Sequence, residues 1–277
     1  MPDDFDYCET LLREADKDRF VATLFAPAPR RRALHALYAF NVELARVREL
    51  AREPMPGEIR LQWWRDVLGG LRTGEAGPVA SALAATVIRY RLPVDVLGEM
   101  IEARSFDLYD DPMGTLAELE AYAEKTSSAL IALAAQILSE GREPGLDEAT
   151  RHAGIAHAIA GLLAAFPLHA ARRQLYVPLD VMQRHGARPE DVFAAVATPQ
   201  LKAALAELRA VARAHLAQVP IASTPDALVP AFLPMALAGP TLKRLERSDP
   251  FSSRPLPQWR RQWLLWRAAR NPRRIGA

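Results

Sequence analysis

The stretch Tyr38-Ala39-Phe40-Asn41-Val42-Glu43-Leu44-Ala45-Arg46-Val47-Arg48-Glu49 carries the decisive pattern of this chain. Asn41, Ala45 and Glu49 recur at four-residue intervals, so on a helix they share one face. Pro27 and Pro29 punctuate the start of that helix, and Pro54, Pro56 and Gly57 stop it, which predicts a helix running to about Arg52. Working outward, the spacing predicts helices over 58–71 (closed by Gly74 and Gly77), 79–90, 94–105, 116–138, 147–166, 180–185, 199–218, 227–246 and 258–270. Thr115 with Glu118 spells a capping box at the head of the 116–138 segment. Pro167 removes a backbone hydrogen bond and clashes with the carbonyl of Leu163, so the helix before it is expected to kink or end.

Alternating runs of β-branched and aromatic residues are missing, and alanines that let helices approach closely are frequent. The expected fold is therefore all-α, a compact helical bundle. Half of the 277 residues are hydrophobic, enough for a sizeable core, and no linker or repeat marks a seam. One domain over 1–277 is the expectation.

A formal net charge of +2 excludes a strongly basic nucleic-acid binder on global charge. The basic residues are almost all arginine; Lys17, Lys125, Lys202 and Lys243 are the only lysines. Cys8 stands alone, which fits a reducing compartment and builds no zinc site by itself. The acidic start, MPDDFDYCET, has neither signal-peptide nor transit-peptide character. No apolar run approaches the ~18–20 residues that cross a bilayer. The expectation is a cytoplasmic protein, soluble or peripheral at the inner face of the membrane.

The opening stretch resembles the first signature helix of the squalene/phytoene synthases, which reads roughly YAFCRxxDDxxD. In that family its aspartates hold the Mg²⁺ ions that grip a prenyl diphosphate. The resemblance extends over nearly the whole chain through Phe20, Arg32, Trp64, Tyr122, Gly154, Arg172 and Tyr176-Val177-Pro178-Leu179-Asp180. It implies an isoprenoid-synthase bundle with a central cavity. Yet Ala45, Arg46 and Glu49 stand where the three aspartates belong. In the second metal region, which resembles QxxNxxRDxxxDxxRGRxYLP, the glutamine falls on Ala158, the asparagine on Gly161 and the two aspartates on Ala165 and His169.

Magnitude matters here. Two unit charges at about 4 Å interact by roughly 4 kcal/mol at an effective dielectric of ~20. Losing three or four carboxylates outweighs the ~1.4 kcal/mol that costs a factor of ten in rate. The expectation is no metal and no cofactor, with Mg²⁺ only if the chain were a working prenyltransferase.

A closer resemblance lies in Phe40-Asn41-Val42-Glu43-Leu44-Ala45, Leu61-Gln62-Trp63-Trp64, Tyr122-Ala123-Glu124 with Ser127-Ser128, and Pro167-Leu168-His169 with Arg172-Arg173. Together with Val177-Pro178-Leu179-Asp180-Val181-Met182 and His185-Gly186, these are similar to the synthase-like assembly factors of respiratory complex I, which also lack the aspartates. That resemblance implies a non-catalytic protein whose partners are complex I subunits or assembly intermediates, with a lipid or isoprenoid as the candidate ligand. A bacterial relative without a presequence is the expected source. The alternative is a head-to-head prenyltransferase with a divergent site.

The candidate cavity or ligand-binding residues are Tyr38, Asn41, Arg46, Glu49, His157, His169, Arg172 and Arg173. Asn41 and Glu49 either face a ligand or pair with Arg46 or Arg48. His157, His169 and Glu49 would make three zinc donors if brought together. Arg172 and Arg173 offer forks for a phosphate or form a solvated basic turn. Trp63 and Trp64 are expected in the core. Trp259, Trp263 and Trp266 fall on one stripe of the last helix among arginines; they either pack into the bundle or form a membrane or partner surface.

Overall fold

The computed structural model describes residues 3–51, 53–70, 76–252 and 254–275, so Arg52, Leu71 and Gly74, named above as helix ends, lie outside the described residues. Among the described residues seventeen α-helices follow one another: α1 (Asp4–Ala15), α2 (Lys17–Thr23), α3 (Ala28–Ala45), α4 (Val47–Leu50), α5 (Pro54–Leu68), α6 (Gly77–Tyr90), α7 (Val94–Ala103), α8 (Leu116–Ala123), α9 (Ala129–Leu138), α10 (Asp147–Ala164), α11 (Phe166–Ala171), α12 (Leu179–His185), α13 (Pro189–Phe193), α14 (Pro199–Ala217), α15 (Val229–Phe232), α16 (Ala238–Glu246) and α17 (Gln258–Arg270). No strand occurs among the described residues, so the fold is all-α as expected.

Helix α3 is the axis of the bundle. Every residue from Ala33 to Val42 is buried, polar ones included, and a helix buried on all faces belongs in the middle. Ala33, Ala36 and Ala39 keep its surface thin, and α1, α6 and α9 lie against it. Phe40 meets Trp64 of α5 edge-to-face, with ring centroids 4.9 Å apart, and Trp63 meets Trp64 in the same manner. Trp64 is fully buried, in line with its expected core role. Helix α10 forms the second axis, packed between α14, α16 and α9. One continuous apolar core runs through all of these contacts.

Several expected helices are interrupted, each with a physical reason. The helix expected to reach Arg52 ends at Ala45, with Arg46 as its cap, and resumes for one turn as α4. Pro54 and Pro56 stop nothing within α5; Pro54 starts it, where its missing N–H is harmless. The 116–138 segment opens on the expected capping box, Glu118 N donating to Thr115 Oγ1 at 3.2 Å. It is then split by a π-turn, Glu124–Ser128. Pro167 behaves as anticipated: α10 stops at Ala164 and the proline sits in the first turn of α11. The 227–246 segment is cut into α15, a 3₁₀ turn (Leu233–Leu237) and α16, with Pro230 and Pro234 at the starts of the first two pieces.

Candidate functional site

A cavity of about 300 Å³ opens where the two signature segments face one another. Asn41, Ala45 and Arg46 border it from α3 and its cap, and His157, Ala158 and Gly161 from α10. Asp16 and Arg19 come from the turn into α2, Arg104 from the 3₁₀ turn Arg104–Leu108, Tyr122 from α8, and Thr126 and Ser127 from the π-turn. Extra π residues widen a helix and redirect its side chains. Here Ser127 Oγ is buried beside the cavity with no hydrogen-bond partner among the described residues.

The cavity wall carries three arginines, each with a carboxylate partner: Arg19 with Asp16, Arg104 with Asp107 and Arg46 with Glu49. Of these carboxylates only Asp16 borders the cavity itself. That carboxylate is already committed: Arg19 Nη1 lies 2.5 Å from Asp16 Oδ2, and the Arg19 backbone N–H donates to Oδ1 at 3.1 Å. Burial alone would raise Asp16, but Arg19 outweighs it and holds the carboxyl below its ordinary range. Arg19 Nη2 sits 3.4 Å from His157 Nε2; a guanidinium only donates, so Nε2 is the acceptor and His157 is neutral. Burial, reinforced by Arg19, pushes the His157 pKa down to about 4. The Arg19 guanidinium also lies over the buried ring of Tyr38, 5.8 Å from its centroid.

Behind this wall lies a polar cluster centred on Asp107. Arg104 Nη1 donates to Asp107 Oδ2 at 3.0 Å and to Tyr122 OH at 2.8 Å. Tyr122 OH donates to Asp107 Oδ1 at 2.9 Å, and Tyr176 OH to the same oxygen at 2.6 Å. Gln174 Nε2 reaches the Asp107 carbonyl at 3.1 Å. The cluster fixes the guanidinium of Arg104 at the cavity wall.

The sequence-derived candidates divide. Tyr38, Asn41, Arg46 and His157 gather at or beside the cavity. Glu49 does not: the break at Arg46 takes it off the shared helix face, and it pairs outside with Arg172 (3.4 Å) and Arg46 (3.8 Å). His169 packs against Tyr176 with tilted rings, centroids 4.6 Å apart, on the far side of the α10–α11 break. Arg172 and Arg173 diverge, the first toward Glu49 and the second over the Phe193 ring at 4.7 Å, so they form no common anion fork. Trp259, Trp263 and Trp266 are 69%, 46% and 47% exposed and so do not pack into the bundle. Asp16, Arg19, Arg104, Asp107 and Ser127 are site residues that sequence reasoning misses. The D-x-x-D of Asp3 and Asp6, which forms a capping box and starts α1, is the available signal for the N-terminal helix pair, with Asp16 at its junction and Arg19 in its second member.

The donor set does not fit a magnesium cluster. Among the described residues no group of three His, Cys, Asp or Glu converges on a metal position. Mg²⁺ requires oxygen ligands in near-octahedral array, and the cavity offers one carboxylate already neutralised by Arg19. The arrangement suits holding an anionic or polar head group against Arg19, Arg46 and Arg104, with Asn41 and Ser127 supplying hydrogen bonds.

Histidines held below their ordinary pKa make stability pH-dependent; His35 and His152 are lowered too, and the half-buried His157 and His169 carry large shifts. Burial lowers His157 and His169 from 6.5 to about 4, with Asp107 opposing and Arg172 reinforcing the shift at His169. Between those values the unfolded chain binds more protons than the fold. Stability is thus full above pH 6.5 and drains as pH falls toward 4, by up to about 1.4 kcal/mol per pH unit for each histidine. Urea midpoints measured from pH 7 to 5 are expected to fall, and the His157→Gln/His169→Gln double variant is expected to flatten that slope.

The family described as squalene/phytoene synthase matches residues 12–267. "NADH dehydrogenase (ubiquinone) complex I, assembly factor 6" of Rattus norvegicus is 33% identical over 253 residues, spanning 90% of this chain and 76% of the relative. A phytoene synthase of Thermus thermophilus is 27% identical over 206 residues, spanning 74% of this chain and 69% of the relative. The crystal structure of a dehydrosqualene synthase in complex with ligand superposes with a TM-score of 0.82 at 17% identity, covering 98% of this chain and 96% of that one, which shows a shared fold. With the family match running almost from end to end, this chain belongs to the squalene/phytoene synthase family.

Proposed function

We propose that this chain is a non-catalytic member of its family that assists assembly of respiratory complex I and uses the cavity to hold a lipid or isoprenoid with an anionic head group. The carrying observation is the composition of the cavity: Ala45, Arg46, Ala158 and Gly161 occupy ligand positions of the metal motifs, and three arginines border the space. The rat relative's name, a complex I assembly factor, supports the same reading. Partners are then complex I subunits or assembly intermediates. A bacterial source and a cytoplasmic position belong to the same proposal, and cell fractionation tests the second.

Disrupting the gene is expected to lower assembled NADH:quinone oxidoreductase in membranes several-fold, measured by native gel and NADH oxidation, with recovery on complementation. Incubating purified protein with farnesyl or geranylgeranyl diphosphate and Mg²⁺ is expected to give no C30 or C40 hydrocarbon above the no-enzyme control. Product formation would replace the proposal with the rival head-to-head prenyltransferase.

A further inference from the structure

Helix α17 turns its apolar aromatic face away from the core. Leu265 and Ala268 bury one side, and Arg261 ties that side to Asp18 of α2 through an ion pair. The opposite side carries Trp259, Trp263 and Trp266, each about half exposed or more. Three of the chain's five tryptophans thus stand on one solvent-facing stripe. Scattered exposed apolar residues need no explanation, but a contiguous aromatic stripe on an anchored helix does.

The neighbouring surface is strongly basic. Alongside the stripe runs an open groove of about 1140 Å³ between α16 and α17. Lys243, Arg244, Arg247, Arg260 and Arg267 line it, and none of them has a carboxylate partner among the described residues. The groove's carboxylate, Glu246, is taken by Arg213 at 2.7 Å. Arg267 lies over Trp263 and Arg270 over Trp266, both at 5.0 Å, so cations and indoles are interleaved. A smaller pocket of about 150 Å³ shares Arg244 and Leu256 with this groove and His157 and Gly161 with the central cavity. The basic face and the cavity are therefore neighbours.

We infer that the α16–α17 face docks on the surface of an anionic phospholipid bilayer, the tryptophans entering the interface and the groove cations meeting lipid phosphates. Indoles suit the head-group level because one edge is apolar and the other donates a hydrogen bond. Lysine and arginine beside them supply the attraction to anionic lipid. No helix among the described residues is long and apolar enough to cross a membrane. A second copy of the chain is disfavoured as occupant, since it would bring like charges together.

The test mixes the full chain with phosphatidylcholine vesicles, with and without phosphatidylglycerol, and follows cosedimentation and indole emission. Binding with a blue shift is expected on the anionic vesicles, weakening as salt rises. Neutralising Lys243, Arg247 and Arg260 (each →Gln) is expected to weaken it about five-fold per cation, roughly a hundred-fold together. The Trp259→Ser/Trp263→Ser/Trp266→Ser variant is expected to lose the remaining binding and the blue shift, with an unchanged helical circular dichroism spectrum. Absence of binding to anionic vesicles, equal binding to neutral ones, or indifference to the lysine–arginine variant overturns the inference. That last variant alters only groove-surface cations, so it decides the matter even if loss of the tryptophans disturbs folding.

Discussion

Asp107→Ala is expected to cost the fold about 3–5 kcal/mol, because it strands a mostly buried guanidinium. The Asp107 carboxylate accepts from Arg104, Tyr122 and Tyr176, and its own backbone carbonyl accepts from Gln174. Side-chain exposures of 17% for Arg104 and 11% for Asp107 leave little water to replace the lost acceptor. For a chain of this size the change corresponds to a melting temperature lower by roughly 6–20 °C. Asp107→Asn keeps an acceptor oxygen for the tyrosines and is expected to lose less. In the Arg104→Met/Asp107→Ala double variant the orphaned cation is gone, so the combined loss is expected to be smaller than the sum of the single losses. A D107A protein melting with the wild type would remove the cluster from the account of this fold.

The same cluster separates what is legible in the sequence from what is not. Tyr122 and Tyr176 stand out because they carry the family resemblance. Arg104 and Asp107 look like ordinary charges at the tail of an expected helix, since the tyrosines that join them lie 15 and 69 residues away from Asp107 in the chain. Periodicity reports which face of a helix is apolar; it does not report which distant segment closes on a polar residue. The α17 boundaries and the Pro167 break are readable for the opposite reason, being local: Pro257 and Pro272 flank α17, Pro167 opens α11, and proline sterics act within one turn.

The break at Arg46 shows the intermediate case. The local sequence has no helix breaker between Tyr38 and Glu49, and four-residue spacing places Glu49 on the face of Asn41. In the fold Arg48 reaches Asp110 at 3.0 Å and Glu49 meets Arg172, partners 62 and 123 residues away that local spacing does not report. The all-α class, the central helix and the loss of acidic ligands are unaffected by this difference. The composition of the cavity is affected, because its cations Arg19 and Arg104 come from outside the motifs.

Gly154→Ala is the second large expected effect, and Gly161 on the same helix is its control. A Cβ on Gly154 would fall 2.2 Å from Ser128 Oγ and 2.3 Å from both Ser128 Cα and Ser128 N. A side chain alone could rotate away, but backbone cannot, and Ser128 belongs to the π-turn and donates to the Arg151 carbonyl at 2.9 Å. Relief requires α10 to separate from the π-turn, which puts the cost at the upper end of overpacking, about 3 kcal/mol or more. At Gly161 nothing lies within 4 Å of the added Cβ. There alanine only removes the helix penalty of glycine and is expected to stabilise by about 0.8–1 kcal/mol. Denaturant midpoints for the two variants should therefore move in opposite directions. Because the π-turn also carries Ser127 to the cavity, G154A is expected to weaken retention of the proposed lipid or isoprenoid there, whereas the fold of G161A is preserved. If both alanines shifted the midpoint alike, the close approach of α10 to the π-turn would be wrong, and with it the placement of Ser127 at the cavity wall.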